Sequence, residues 1–133
     1  MMRFSRYGGN PNIGVFAAVN EDLAFIAADT DSEFVRAVES ALGVETVLTT
    51  VAGSFVVGSL LVMNSNGALI SGLSDQAEAN RIDAKIPCHL MSGPNSAVGN
   101  NVLVNDRAAL VSDFYSDHEV KAIQDALGVE CVR

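Results

Sequence analysis

Short apolar runs separated by polar turns recur along the chain and predict pairs of antiparallel strands. In the middle of the chain, residues 56–63 are apolar, Asn64-Ser65-Asn66-Gly67 follow, and residues 68–70 are apolar again. Large and β-branched residues favour a buried strand, and Asn-Gly is a strong hairpin signal because both residues tolerate positive φ. The same order predicts hairpins over 15–27, with its turn at 20–22, and over 102–111, with its turn at 105–107.

Each predicted hairpin is followed by a segment with the pattern of a helix. Thr30-Asp31-Ser32-Glu33 and Ser116-Asp117-His118-Glu119 have the form of capping boxes, and Gly43 and Gly128 suit the helix ends. The apolar positions repeat at helical spacing. They are Val35, Val38 and Leu42 in the first helix and Val120, Ile123 and Leu127 in the last.

The middle helix is predicted to be the shortest. It begins near Ser74-Asp75, has Ala77 and Ile82 as apolar positions, and ends before Pro87. Its N-terminal cap and its row of apolar positions are poorer than those of the other two helices.

These patterns recur with a regular period. Gly14, Gly58 and Gly99 are separated by 44 and then 41 positions, and Asn20, Asn64 and Asn105 keep the same spacings, as do Ala24, Ala68 and Ala109. A period of this length indicates one module used several times, with a core formed where modules meet. We therefore predict an α/β chain that is a single domain over 1–133, with repeats at about 3–46, 47–87 and 88–133.

Composition and charge narrow the function classes. The 133 residues are 49% hydrophobic and carry a net charge of −8, with eight scattered basic side chains. This argues against broad nucleic-acid binding, which needs clustered cations, and favours a protein partner with a basic surface. Solubility alone explains the acidic balance equally well. With no signal peptide and no membrane-length apolar run, we expect no membrane partner and a cytoplasmic location.

No cofactor, metal or catalytic motif is evident. Cys88 and Cys131 have no metal-binding spacing, and Gly8-Gly9 lack the context of a phosphate-binding loop. When the repeats are superposed on sequence, Cys88 falls at the position of Val47, His89 at that of Leu48, and Cys131 at that of Thr46, which would place the thiols on opposite strand faces. Residues 3–7 mix cations with aromatic residues and are best explained as a first β-strand.

Three groups of residues resemble the translation initiation factor 6 family, the ribosome anti-association factors of archaea and eukaryotes. They are Asn12-Ile13-Gly14-Val15-Phe16-Ala17 at the start, Val51-Ala52-Gly53-Ser54 through Val57-Gly58-Ser59-Leu60 in the middle, and Ala97-Val98-Gly99-Asn100 with Asn105-Asp106 in the last third. The resemblance covers essentially the whole chain in the family's order, and the archaeal branch is the most similar.

The resemblance implies a pentein-type alpha-beta propeller of ββαβ repeats, without enzymatic activity. It also implies binding to the large ribosomal subunit, mainly through a ribosomal protein at the intersubunit face. Such binding blocks joining of the small subunit and accompanies large-subunit maturation. The implied contact residues are Gly99 and Asn100 and, by repeat equivalence, Asn12, Gly14, Ser54, Gly58 and Ser59. The family has five repeats whereas this chain has three, which predicts reduced or absent ribosome binding.

Two alternatives remain open from the sequence. Three modules leave two open ends, so copies of the chain are expected to associate and cover them, and a self-associating fragment without other activity is one reading. The other is a pentein enzyme that modifies guanidino groups, which needs a nucleophilic Cys and a general-base His. Cys131, His89 and His118 are the available residues, but no Cys-His motif of that branch is present.

Overall fold

The structure is a computed structural model that describes residues 2–29 and 32–133. Within these residues the chain forms three sheets of three strands, five α-helices and one 3₁₀ turn. The expected α/β class is confirmed. Thr30 and Asp31 of the first predicted capping box lie outside the described residues.

The first unit begins with a 3₁₀ turn, Ile13–Val15, and continues through β1 (Ala17–Val19), β2 (Leu23–Ala27), α1 (Ser32–Leu42) and β3 (Glu45–Thr49). β1 and β2 are antiparallel, and the chain crosses through α1 so that β3 pairs parallel to β2. The hairpin was predicted with its first strand starting at residue 15. That start was wrong, because residues 13–15 form the 3₁₀ turn.

The second unit consists of α2 (Val57–Leu60), β4 (Leu61–Met63), β5 (Ala68–Ser71), α3 (Gln76–Asp83) and β6 (Cys88–Met91). Its strands pair as in the first unit. The prediction of one strand over 56–63 was wrong in its first half, which forms the one-turn helix α2. Apolar composition alone cannot separate a buried strand from a buried helical turn.

The third unit consists of α4 (Val98–Asn101), β7 (Val102–Val104), β8 (Ala108–Val111), α5 (Asp117–Leu127) and β9 (Glu130–Val132), again with the same pairing. Ser116 and Glu119 form the predicted capping box, and Gly128 ends α5 in the left-handed conformation at φ 64°. Both details of this helix are confirmed.

The middle helix, α3, is the shortest of the three long helices, as predicted, but its cap is not poor. Asp75 accepts a hydrogen bond from the backbone N–H of Glu78, and the Glu78 carboxylate accepts one from the N–H of Asp75. The other Glu78 carboxylate oxygen accepts from the Thr50 hydroxyl and from the Gly53 N–H. Burial alone raises the pKa of Glu78, but these hydrogen bonds outweigh it and hold the pKa below its usual value.

Each long helix packs on one face of its own sheet, and in the first two units the opposite face of the sheet contacts the next unit. We call this opposite face the trailing face. On the second sheet it carries Val62 and Leu69, which join a core with Ile123 and Leu127 of α5. The other face of the second sheet joins a core with α3 and the first sheet. The core is therefore shared between successive units.

The segment before the first unit does not form the strand predicted for residues 3–7. Residues 2–6 have no regular secondary structure, and Tyr7 forms an isolated bridge with Asn10. The Tyr7 ring is buried against Phe16, with 4.4 Å between ring centroids, and its hydroxyl donates to the carbonyls of Ala27 and Asp29. Tertiary packing, rather than sheet pairing, holds Tyr7 in place.

Candidate functional site

The three glycines that mark the period lie in the one-turn helical segments that begin each unit. Gly14 is in the 3₁₀ turn, Gly58 in α2 and Gly99 in α4. An ideal Cβ built on Gly58 would lie 1.9 Å from the Gly14 carbonyl oxygen, and one built on Gly99 would lie 2.0 Å from the Gly58 carbonyl oxygen. Successive turns thus touch backbone to backbone, and only glycine permits this approach.

Because β1, β4 and β7 follow these turns and lie side by side, the turns form a row at the amino ends of the three strands. We call this row the glycine rim. Asn12, Gly14 and Asn100 are exposed on it, and Gly58, Ser59 and Gly99 are partly exposed. Ser59 and Asn100 each follow the glycine of their turn directly and occupy equivalent positions.

Ser54 is the one candidate residue outside the glycine rim. It closes a tight turn with Val51, which comes just before α2, and its hydroxyl oxygen accepts a hydrogen bond from the Val56 N–H at 3.3 Å. Of the seven residues selected from the sequence, the fold therefore places six on one rim. Ser54 lies in the loop that leads to it.

The opposite ends of the same strands form a second rim, built from Asn20, Asn64 and Asn105. Each side-chain oxygen accepts two backbone N–H groups of its own hairpin turn. The Asn20 amide then donates to the Asn64 carbonyl at 3.0 Å, and the Asn64 amide to the Asn105 carbonyl at 3.2 Å. We call this arrangement the asparagine ladder. In the sequence these residues served only to establish the period, although their recurrence at that period was also a sign of a shared structural role.

The asparagine ladder surrounds an open cavity of about 420 Å³. Glu21, Asp106 and Arg107 add charge at its mouth. Ser65 donates to Asp106 through its backbone N–H and its hydroxyl, and these hydrogen bonds hold the pKa of Asp106 below its usual value. This rim is therefore polar and hydrogen-bonded from unit to unit, whereas the glycine rim exposes small side chains.

The two thiols do not have the properties of a catalytic nucleophile. Burial, with the nearby Asp83 charge, raises the pKa of Cys88 to about 11, and burial raises the pKa of Cys131. A nucleophilic thiol needs a lowered pKa instead. In the part of the chain that the structure describes, no group of three or more His, Cys, Asp or Glu residues could hold a metal ion.

The expected positions of Cys88 and His89 were wrong. Ala24 pairs with Thr46, Ala68 with Cys88 and Ala109 with Cys131, so both thiols are equivalent to Thr46 and point to the same face of their sheets. His89 is accordingly equivalent to Val47, not to Leu48. The superposition on sequence failed because the connection between the paired strands is two residues shorter in the second unit. Ala68 and Cys88 are 20 positions apart, whereas the equivalent pairs in the other two units are 22 positions apart.

Among the helices that the structure describes, none combines the length and the apolar character needed to cross a membrane.

Comparison with known proteins gives one consistent result. Residues 2–133 match the model of the eIF-6 family. The relative named translation initiation factor 6 from Methanosphaerula palustris is 37% identical over 133 residues, which cover 100% of this chain and 60% of that protein. The protein of the same name from Methanopyrus kandleri is 40% identical over 126 residues, covering 94% of this chain and 57% of the relative. The one from Halobacterium salinarum is 38% identical over 128 residues, covering 96% and 58%.

The chain thus spans about 60% of the length of these archaeal relatives. The resemblance stated from the three groups of residues is confirmed. The family is one of translation initiation factors and not of enzymes, which confirms the non-enzymatic expectation and removes the guanidino-modifying alternative. On the match across residues 2–133, the chain belongs to the eIF-6 family.

Proposed function

We propose that this chain is a ribosome-binding factor that associates with the large ribosomal subunit, blocks joining of the small subunit and takes part in large-subunit maturation. The observation that carries the proposal is the family match over residues 2–133, together with relatives named translation initiation factor 6. The site of action is then the cytoplasm, where ribosomal subunits join.

We assign the contact to the glycine rim. Six of the seven residues expected to bind lie there, and the exposed side chains of Asn12 and Asn100 make no hydrogen bond to another described residue. Small residues on rigid turns allow a partner backbone to approach closely. The net charge of −8 favours encounter with a basic ribosomal protein and disfavours broad contact with RNA phosphates.

We further propose that the three units are part of a pentein-type alpha-beta propeller, with repeats near 3–46, 47–87 and 88–133 in a single domain. The identical strand order of the three sheets supports this. The lengths support it as well. Three units span about 60% of the relatives' length, so the relatives are long enough to contain five units.

The test is co-sedimentation of the purified chain with archaeal large subunits, followed by a subunit-joining assay. Wild type should travel with the large subunit and reduce joining, and Asn100→Arg should weaken both effects at least tenfold because it places a bulky cation on the proposed contact. Arg107→Ala, at the opposite rim, is the matched control and should leave binding unchanged. Absence of wild-type binding at low salt would refute the ribosomal role of this chain. Loss of binding in the control alone would refute the glycine rim as the contact.

A second candidate function is association between copies of the chain. The specific observation that favours it is an exposed apolar row on the third sheet, formed by Leu103, Leu110 and Val132.

A further inference from the structure

One tight turn beside the glycine rim is held in a conformation that its own sequence disfavours. Val51 and Ser54 exchange two backbone hydrogen bonds, of 3.1 and 2.9 Å, across the two residues between them. Ala52 has φ 52° and Gly53 has φ 70°. Ala52 is the one non-glycine residue with a positive φ in the part of the chain that the structure describes. A residue with a Cβ disfavours this left-handed region, so contacts outside the turn must stabilise it.

The equivalent turn of the first unit avoids this strain. Gly8 and Gly9 lie between Tyr7 and Asn10, which exchange the same two backbone hydrogen bonds. Both glycines have a positive φ, of 52° and 84°, which glycine adopts without a steric cost. Counted by the period of 44, Ala52 stands where the first unit has Gly8. The second unit therefore keeps the shape of the turn with a residue that does not favour it.

The carboxylate of Glu78 supplies the stabilisation. Its Oε2 accepts the Thr50 hydroxyl at 2.6 Å and the Gly53 N–H at 3.0 Å, so it bonds the residue before the turn and a residue within it. Its Oε1 accepts the N–H of Asp75 at the cap of α3, at 2.9 Å. Glu78 thus ties the turn to the beginning of a helix 25 positions further along the chain.

Glu78 is buried without a counter-ion among the described residues. It is 3% exposed, and no Lys, Arg or His in that part of the chain forms an ion pair with it. An ionised carboxylate is costly to bury, and the hydrogen bonds from the turn and from the cap offset that cost. An apolar side chain would fill the same space without the cost, but it could not accept the hydrogen bonds of the turn. The turn, rather than the core, therefore accounts for a glutamate at this position.

The turn leads directly into the glycine rim. Ser54, its last residue, accepts the Val56 N–H with its hydroxyl oxygen at 3.3 Å, and α2 begins at Val57. Gly58 and Ser59 of the glycine rim follow within α2. The position of the turn thus sets both the place of Ser54 and the way in which the chain enters α2. The second unit has a neighbouring unit on each side, so this arrangement lies in the middle of the chain and not at an open end.

We propose that Glu78 is a positioning residue for the ribosomal contact: it holds the Val51–Ser54 turn, and through it Ser54 and the start of α2, in the arrangement that the partner binds. This inference rests on the proposed function and adds to it a buried residue that does not touch the partner itself. Without the carboxylate, the strained turn relaxes to other conformations, and only the molecules that keep the present one can bind. Glu78 therefore acts on affinity through the population of one turn.

The test measures binding to archaeal large subunits by co-sedimentation, at a temperature at which the variants are folded by circular dichroism. Glu78→Gln should weaken binding about tenfold, which corresponds to a binding-competent turn in about a tenth of the molecules. Thr50→Val removes the hydroxyl that Glu78 accepts and should also weaken binding, although less. The double variant should bind no more weakly than Glu78→Gln alone, because both changes release the same turn. As the milder change, Thr50→Val keeps the test valid if Glu78→Gln does not fold.

Ala52→Gly separates positioning from stability. Glycine adopts φ 52° without strain, as Gly8 does in the first unit. Added to Glu78→Gln, or to Thr50→Val, this change should return binding to within about threefold of wild type. The matched control is Asn64→Ala, in the same unit but on the asparagine ladder at the opposite rim. It removes four hydrogen bonds and should lower stability at least as much as Glu78→Gln, yet it should bind as wild type does.

The outcomes distinguish this inference from the proposed function. If wild type does not bind large subunits, the proposed function fails and this inference fails with it. If wild type binds and Glu78→Gln and Thr50→Val bind equally well, the proposed function stands and Glu78 does not position the contact. If Asn64→Ala loses as much binding as Glu78→Gln, or if Ala52→Gly restores none of it, the loss reflects general instability and this inference is overturned.

Discussion

The glycine rim gives the sharpest prediction about stability. A Cβ on Gly58 would lie 1.9 Å from the Gly14 carbonyl oxygen and 2.6 Å from that of Ala17, whereas ordinary contact begins at 3.4 Å. Gly58→Ala therefore forces the first and second units apart by about 1.5 Å, and both colliding groups are backbone. Overpacking of this kind costs about 3 kcal/mol, and the better helix propensity of Ala returns about 1 kcal/mol. We expect a net loss of about 2 kcal/mol, or a melting temperature about 8 °C lower.

The assay is urea unfolding followed by circular dichroism, in the Leu110→Glu background so that association does not contribute. Gly99→Ala should lose a similar amount, because its Cβ would lie 2.0 Å from the Gly58 carbonyl oxygen. Gly14→Ala is the matched control and should change the free energy of unfolding by less than about 0.5 kcal/mol. If Gly58→Ala and Gly14→Ala unfold at the same urea concentration, the backbone contact between units does not limit stability and the reasoning fails.

Three further predictions concern buried polar groups. Because hydrogen bonds hold the folded-state pKa of Glu78 below its usual value near 4.5, its stabilisation is fully present above that value and is lost as pH falls through the folded-state pKa. Glu78→Gln should thus lower the free energy of unfolding by about 2 kcal/mol at pH 7, as measured by urea unfolding. If the variant loses the same amount below the folded-state pKa of Glu78, the reasoning is contradicted. Asn64→Ala should cost about 3 kcal/mol in the same assay, because it removes four hydrogen bonds, two of them buried and two partly buried. Asn105→Ala should cost about 1 kcal/mol. If Asn64→Ala and Asn105→Ala lose the same stability, the asparagine ladder does not stabilise the Asn64 turn. In a Cys131→Ser background, the raised pKa of Cys88, about 11, should slow its reaction with an aromatic disulfide at pH 8 by more than about tenfold relative to the urea-unfolded chain; equal rates would contradict its burial.

Much of the local structure could be predicted because it depends on residues close in sequence. Ser116, Glu119 and Gly128 define α5 through a cap at each end, and the turn after β7 is fixed by the Asn105 side chain bonding its own backbone. Six of the seven candidate binding residues lie together on the glycine rim because they belong to the turns that begin the repeated units, and their role in binding stays a prediction.

Other features depended on lengths and contacts that no local pattern reveals. The short helix α2 is as apolar as a strand, and the Gly58 backbone against Gly14 selects the helical turn there. The placement of Cys88 failed because the connection between the paired strands is two residues shorter in the second unit, which shifts the register between sequence and sheet. The sequence predicted too weak a cap for α3. Glu78 accepts hydrogen bonds from Thr50 and Gly53, which lie 28 and 25 positions away in sequence.

The sequence by itself determined the α/β class, the three-fold recurrence of strand, strand, helix and strand, and the family. It did so because capping, turn chemistry and periodicity act within a few residues and repeat with the module. Only the tertiary structure decided how successive units meet. The backbone carbonyl of one glycine turn packs against the glycine of the next, the asparagine amide of one unit donates to a carbonyl of the next along the asparagine ladder, and α5 covers Leu69. These contacts join residues some forty positions or more apart, and their energies depend on distances that no linear pattern specifies.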